Sequence, residues 1–254
     1  MSDLGDRAET VTAGVVVIGD EILSGRTRDT NSGYIAEWLT AMGIDLREVR
    51  AVPDVEAMIV EAVGALRAHY TYVFTTGGIG PTHDDITADA IAKVFGVGID
   101  HDRRAVALLT AHYGSAEHLN EARLRMARIP LGADLIENRI SGAPGFRIGN
   151  VHVLAGVPSI MKAMLDQIAP SLRTGTPMLS RAVEAGMGEG LIGTPLAELQ
   201  RRFPDVALGS YPTYKPGGGF STEIVARSRD PARLAEAAAA VEAMLARLRA
   251  ERAS

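Results

Sequence analysis

Thr75-Thr76-Gly77-Gly78-Ile79-Gly80-Pro81-Thr82-His83-Asp84-Asp85 is the stretch whose reading decides the fold. Tyr72 to Thr76, a short run of aromatic and β-branched residues, predicts a strand entering it, and Ile86 to Phe95 predicts a helix leaving it, stopped by Gly96. A glycine-rich turn from strand into helix brings backbone amides and a helix N-terminus to the carboxyl end of a strand, where α/β sheets hold anionic ligands. A tight turn whose Asp84 or Asp85 caps the following helix fits the same residues.

The flanking pattern repeats this alternation. Val15 to Ile18, a continuous apolar run between Gly14 and Gly19, predicts a strand buried on both faces. Asn31 or Ser32 then caps a helix that carries Ile35, Leu39 and Met42 on one side and ends at Gly43. Leu46 to Val52 predicts a strand, and Val55 to His69 an amphipathic helix through Ile59, Val63 and Leu66. Downstream, Asp102 to Tyr113 and Glu117 to Ala127 read as helices and Val151 to Ala155 as a strand. Gly156-Val157-Pro158 then leads to a helix capped by Ser159. Strands alternating with helices predict an α/β domain with a parallel-dominated sheet.

Near Gly175 the character changes. A strand near Ser180 to Met187, a helix near Leu191 to Arg202, strands at Val206 to Tyr211 and Phe220 to Arg227, and a last helix predict a small α+β domain. The expected organisation is a flexible leader at 1–12, an α/β domain at 13–175 and the small domain at 176–254. In the last helix Leu234, Ala238, Val241, Leu245 and Leu248 recur in steps of four and three, which suits a coiled-coil seam or a face that covers the small sheet.

Composition narrows the function. The 254 residues, 46% hydrophobic, are enough to bury a sizeable core. The absence of cysteine rules out disulfides, thiolate catalysis and iron–sulfur clusters, so any metal would sit on oxygen or histidine. A net charge of -5 without a basic stripe argues against nucleic acid. No apolar run approaches ~20 residues, so no membrane segment is expected. The polar start MSDLGDRAETVTAG lacks a secretory pattern, and a cytoplasmic location is expected.

Acidic residues fall at successive strand ends: Glu21 within Gly19-Asp20-Glu21-Ile22-Leu23-Ser24-Gly25, Asp29 and Asn31 after it, Asp54 after the second strand, and Asp85 after the glycines. Each alone reads as a cap or a solvated loop. By the connection rules of βαβ units they converge on one sheet edge, where clustered negative charge calls for a cation, a proton or a polar ligand. Asp85, Glu21 and Asp54 are therefore the candidate metal ligands for magnesium, manganese or cobalt. Thr76, Gly77, Gly78, Gly80, Pro81 and Thr82 form the candidate phosphate cradle. Asp29 and Asn31 suit ligand hydroxyls, and Pro144-Gly145-Phe146 with Gly156, Pro158 and Ser159 suit an opposite wall. His83 pairs with a phosphate or is simply exposed.

Taken together, Gly19-Asp20-Glu21-Ile22 with Asp29-Thr30-Asn31-Ser32, the glycine segment, Ala143-Pro144-Gly145-Phe146 and Gly156-Val157-Pro158-Ser159 resemble the competence/damage-inducible CinA N-terminal family. Gly188-Glu189 and Leu208-Gly209-Ser210-Tyr211-Pro212 are similar to the region that follows the binding domain in those proteins. The wider superfamily holds the molybdopterin-handling MogA, MoaB and MoeA proteins and the molybdopterin-binding-like domain of eukaryotic FAD synthases. The resemblance implies a three-layer α/β/α fold, with Asp85 matching a catalytic aspartate, Asp54 a second functional aspartate and Glu21 the glutamate of the molybdotransferase motif. Ala155 departs from the proline usual in the family at that position. No deamidase or nucleotide-transferring domain is expected in these residues. The leading implied activity is metal-dependent hydrolysis of a pyrophosphate bond in ADP-ribose or FAD, with potassium as a further ion. The alternatives are molybdopterin binding with adenylylation or metal insertion, and a non-catalytic nucleotide or pterin module. A homo-oligomer is expected.

Overall fold

Thr12–Ile18 forms strand β1, and its alternating side chains feed two cores at once. Val16 and Ile18 enter one cluster and Val15 and Val17 the other, which requires a continuous apolar run instead of a polar-apolar alternation. Each such buried side chain contributes about 1.5–3 kcal/mol. The computed structural model of the chain describes residues 10–214 and 220–253. Residues 1–9 of the expected leader lie outside these, Val11 is already buried at 2% exposure, and Thr12 opens β1.

In chain order the first unit continues with α1 (Asp20–Leu23), α2 (Asn31–Ala41), β2 (Asp45–Val52), α3 (Glu56–His69), β3 (Tyr72–Thr76), α4 (Thr87–Phe95) and β4 (Ile99–His101). Then come α5 (Arg103–Tyr113), α6 (Glu121–Arg125), β5 (Arg128–Pro130), β6 (Asp134–Ile136), β7 (Gly145–Ile148), β8 (Val151–Leu154) and α7 (Pro158–Ile168). The main sheet runs β2-β1-β3-β8-β7-β6; the pairs from β2 to β8 are parallel, and β7 and β6 add antiparallel partners at one edge. Ile59, Val63 and Leu66 of α3 cover one face, and Ile35 and Leu39 of α2 with Met161, Met164 and Leu165 of α7 cover the other. The result is a three-layer α/β/α domain. The chain leaves β1 toward β2 and crosses back to β3, so the carboxyl ends of β1 and β3 flank the reversal point where such sheets hold ligands. Trp38 of α2 meets Phe74 of β3 edge-on at 6.3 Å between ring centroids.

Three features correct the sequence reading. The Glu117 to Ala127 helix shortens to α6, preceded by a single 3-10 turn at Ala116–His118. Pro144-Gly145-Phe146, expected only as a wall, runs into the sheet: Gly145 begins β7, and a Cβ there would lie 2.3 Å from the Val153 carbonyl oxygen. Glycine thus lets β7 close on β8 and bury Phe146 at 1% exposure. Ser159 does not cap α7: Val157 is the cap position, Pro158 takes the first helical place, and Ser159 is exposed.

The second compact unit is Thr176–Ser254. It comprises β9 (Leu179–Glu184), α8 (Glu189–Arg202), β10 (Ala207–Tyr214), β11 (Phe220–Ser228) and α9 (Pro231–Ala253), with an antiparallel sheet ordered β10-β11-β9. Leu234, Val241 and Leu245 of α9 pack with Ile224 and Ala226 of β11 and Ile192 of α8. The four-three stripe therefore covers the small sheet. Among the described residues no helix is long and apolar enough to cross a membrane.

Candidate functional site

The site is built where β1, β3 and β8 end. Gly77 follows β3 at φ +101, its amide donates to Leu154 O at 3.2 Å, and a Cβ there would fall 2.1 Å from the Ile18 carbonyl oxygen. Only glycine joins the three strand ends this closely. A Cβ on Gly156 would stand 3.3 Å from Gly77 Cα, so the two turns touch and no flat ring fits between them. The expected single cleft is instead two cavities, one on each side of this ridge.

The first cavity is lined by Gly78, Ile79, Gly80, Asp85, Asp89, Arg125, Arg128, Pro144 and Phe146. Its electrostatics differ from the expected cradle, because Asp85 turns into the loop. Asp85 Oδ1 accepts from the Gly80 amide at 2.7 Å, and Oδ2 accepts from the Thr82 amide at 2.8 Å and from the Thr82 hydroxyl at 2.5 Å. Asp85 therefore occupies amides that a phosphate would have taken, and it does not cap α4. The Thr87 hydroxyl braces the loop from α4 by donating to Gly77 O at 3.0 Å. Arg125 clips it from outside, with Nη2 donating to Asp85 O at 3.0 Å. Arg128 pairs with Asp89 through both carboxylate oxygens. Pro81 lies in a separate shallow depression with His83, His101 and Arg125.

The second cavity, about 70 Å³, is lined by Val17, Ile18, Glu21, Ile22, Arg28, Asp29, Asn31, Thr76, Gly156 and Pro158 among others. Here capping decides the chemistry. Asp29 Oδ1 accepts from the amides of Asn31 at 2.9 Å and Ser32 at 3.1 Å, so Asp29 does what the sequence assigned to Asn31 or Ser32. Asn31 is thereby free to reach across, and its Nδ2 donates to Gly156 O at 2.8 Å. That bond fixes the amide's direction and leaves Asn31 Oδ1, in a side chain 7% exposed, with no donor among the described residues. A buried acceptor without a partner costs about 1–3 kcal/mol, so this wall is incomplete as it stands.

Acids crowd the rim. The Asp20 amide donates to Asp54 Oδ2 at 3.0 Å. Burial first, then the like charges of Asp20, Glu21 and Asp84, push the Asp54 carboxyl above the ordinary aspartate value, against the downward pull of the Asp20 amide. Asp20 and Glu21 sit in the single helical turn α1, where a cap or a solvated loop is expected from the sequence. Glu21 folds back so that its carboxylate oxygens lie 2.6 Å from where a Gly19 Cβ would stand.

The structure thus brings Glu21, Asp29, Asn31, Thr76, Gly156 and Pro158 to one cavity and Gly78, Gly80 and Asp85 to the other. Asp54 lines neither, and its coupling is to Asp20, Glu21 and Asp84. Ser159 lines neither and stays on the exposed surface. The expected carboxylate triad is not a metal cage: Asp85 is spent on its own loop, and among the described residues no group of three or more His, Cys, Asp or Glu could hold an ion. Sequence reasoning missed Arg28, which lines the second cavity, and Arg125, which clips the glycine loop; both placements follow only from which loops meet in space.

Residues 14–174 match a family described as a probable molybdopterin binding domain, and residues 177–253 match the middle domain of FAD synthase. The chain is 32% identical over 206 residues to an Archaeoglobus fulgidus protein, covering 80% of this chain and 86% of that one. It is 34% identical over 229 residues to a probable FAD synthase of Caenorhabditis elegans, covering 80% of this chain but only 44% of that protein. The solved structure of a CinA protein of unknown function from Thermoplasma acidophilum matches with a TM-score of 0.60 at 36% identity, over 63% of this chain and 96% of that one.

Proposed function

This chain belongs to the molybdopterin-binding domain family, and from that premise we propose that it hydrolyses the pyrophosphate bond of a nucleotide such as ADP-ribose or FAD. The observation that carries the reading is the unpaired, buried Asn31 Oδ1 in a polar cavity whose rim joins the Glu21 and Asp54 acid cluster. An acceptor at that depth suits a ring that offers an N–H, and the upward shift of the Asp54 carboxyl suits a group that accepts a proton. Asp54 takes a proton from water, the water oxygen bonds to one phosphorus, and the bond from that phosphorus to the bridging oxygen breaks. ADP-ribose then yields AMP and ribose 5-phosphate, and FAD yields AMP and FMN.

Glu21 and Asp54 suit a hydrated ion of the magnesium type held by one or two carboxylates and the ligand's phosphates, although a three-carboxylate cage does not fit. Such an ion, when bound, draws charge from the phosphate oxygens. The similarity to part of a probable FAD synthase supports a flavin or adenine nucleotide as ligand. A second reading, molybdopterin binding, is supported by the family description that covers the cavity's residues.

The test is to incubate the full chain with ADP-ribose and with FAD, supplying magnesium, manganese, cobalt and potassium, and to measure AMP against an Asp54→Asn control. No AMP above that control rejects hydrolysis. Molybdopterin binding with ATP-dependent adenylylation would favour the second reading, and ligand binding without turnover a recognition module.

A further inference from the structure

The second cavity has an electrostatic problem that its acids create. Glu21 and Asp29 line it and Asp54 stands close by, so a phosphate-bearing ligand would meet repulsion there. The glycine loop does not relieve this, because Asp85 already holds the Gly80 and Thr82 amides on the far side of the ridge. Arg28 is the one cation that lines this cavity among the described residues. It stands exposed on the loop between α1 and α2, and no described carboxylate or carbonyl accepts a hydrogen bond from it. The acids nearest in sequence are otherwise engaged: Asp29 Oδ1 receives two α2 amides, and Glu21 curls over Gly19.

We infer that Arg28 grips the ligand's phosphate at the mouth of the Asn31 and Thr76 cavity. The Asn31 Oδ1 acceptor is an independent mark of a ligand in the same cavity, and the two groups give that ligand a direction, ring toward Asn31 and anion toward Arg28. A guanidinium suits this task because its fork of donors can engage two phosphate oxygens together. This rests on reading the cavity as a nucleotide site, and it moves the phosphate from the glycine loop to the α1–α2 loop.

Calorimetric titration of the full chain with AMP and with adenosine tests it without any turnover. The wild-type chain is expected to bind AMP more tightly than adenosine. Arg28→Gln is expected to weaken AMP by roughly 10-fold or more, as for a lost charged hydrogen bond, and to leave adenosine unchanged. Arg28→Lys should restore part of the AMP affinity. Absence of AMP binding, AMP bound no tighter than adenosine, or an equal loss for both ligands in Arg28→Gln overturns the inference. Arg28-dependent AMP binding in a chain that hydrolyses neither ADP-ribose nor FAD upholds it and rejects only the hydrolase reading.

Discussion

Asn31 and Gly156, separated by 125 positions, are joined by a 2.8 Å hydrogen bond from the Asn31 side-chain amide to the Gly156 carbonyl. The bond links the start of α2 to the turn after β8 and decides which face of the amide points away from its partner. Asn31→Ala removes that tie at a cost of about 1 kcal/mol and deletes the free acceptor. Its ligand affinity should fall while the fold persists, which paired denaturation and AMP titration would reveal. Unchanged affinity would mean that Oδ1 plays no part in recognition.

Asp54 and Asp85 should separate in their effects. The raised Asp54 carboxyl is charged at a cost near neutral pH, so Asp54→Asn should leave the melting temperature unchanged or slightly higher while AMP release is lost. Asp85→Asn leaves one of the Gly80 and Thr82 amides facing another donor, and should destabilise the chain by about 2 kcal/mol. Thermal melts of both variants beside their activities check this. A stable Asp85→Asn would refute the brace.

Gly77 should tolerate no side chain. Gly77→Ala combines φ +101 with a Cβ 2.1 Å from the Ile18 carbonyl oxygen, and should cost about 3 kcal/mol or more. Gly25→Ala, at φ +73 but with nothing within 4 Å, should cost only about 1–2 kcal/mol. Urea titrations of the pair isolate the close approach from backbone strain.

His152 gives the chain a pH dependence. It lies on β8 at 1% exposure, stacked on Phe74 at 5.1 Å, with neither ring nitrogen bonded among the described residues. Burial, and next the Arg147 charge, lower its pKa from 6.5 to about 4. Unfolding frees the ring to bind a proton, so stability is unaffected above pH 6.5 and falls as pH drops from there toward 4. The full loss is about 3 kcal/mol. His152→Phe should flatten that slope in denaturation curves taken from pH 7 to pH 4, and an identical slope in both proteins would remove His152 as the cause.

The backbone plan was legible in the chain wherever length and periodicity coincide. The strand Tyr72–Thr76 has the bounds its apolar run predicts, and the Gly96 stop is a left-handed cap at φ +64. The three-residue strands β4, β5 and β6 carry too little pattern to announce themselves. The site was legible as a set of residues but not as an arrangement. Asp29, Asn31 and Ser32 all suit a helix start, and their local pattern does not say which one caps and which reaches Gly156. Asp85 likewise looks the same in sequence whether it faces a ligand or its own loop. Arg28 gained its place only because the loop that carries it folds beside Thr76 and Gly156.

The edge-on pair of Trp38 and Phe74 has a practical consequence. Trp38 is the sole tryptophan in the sequence and belongs to the Met1–Gly175 unit. Indole emission therefore follows the melting of that unit alone, whereas far-ultraviolet dichroism also sees α8 and α9. The difference between the two signals is an optical ruler for how independently the two halves of the chain come apart.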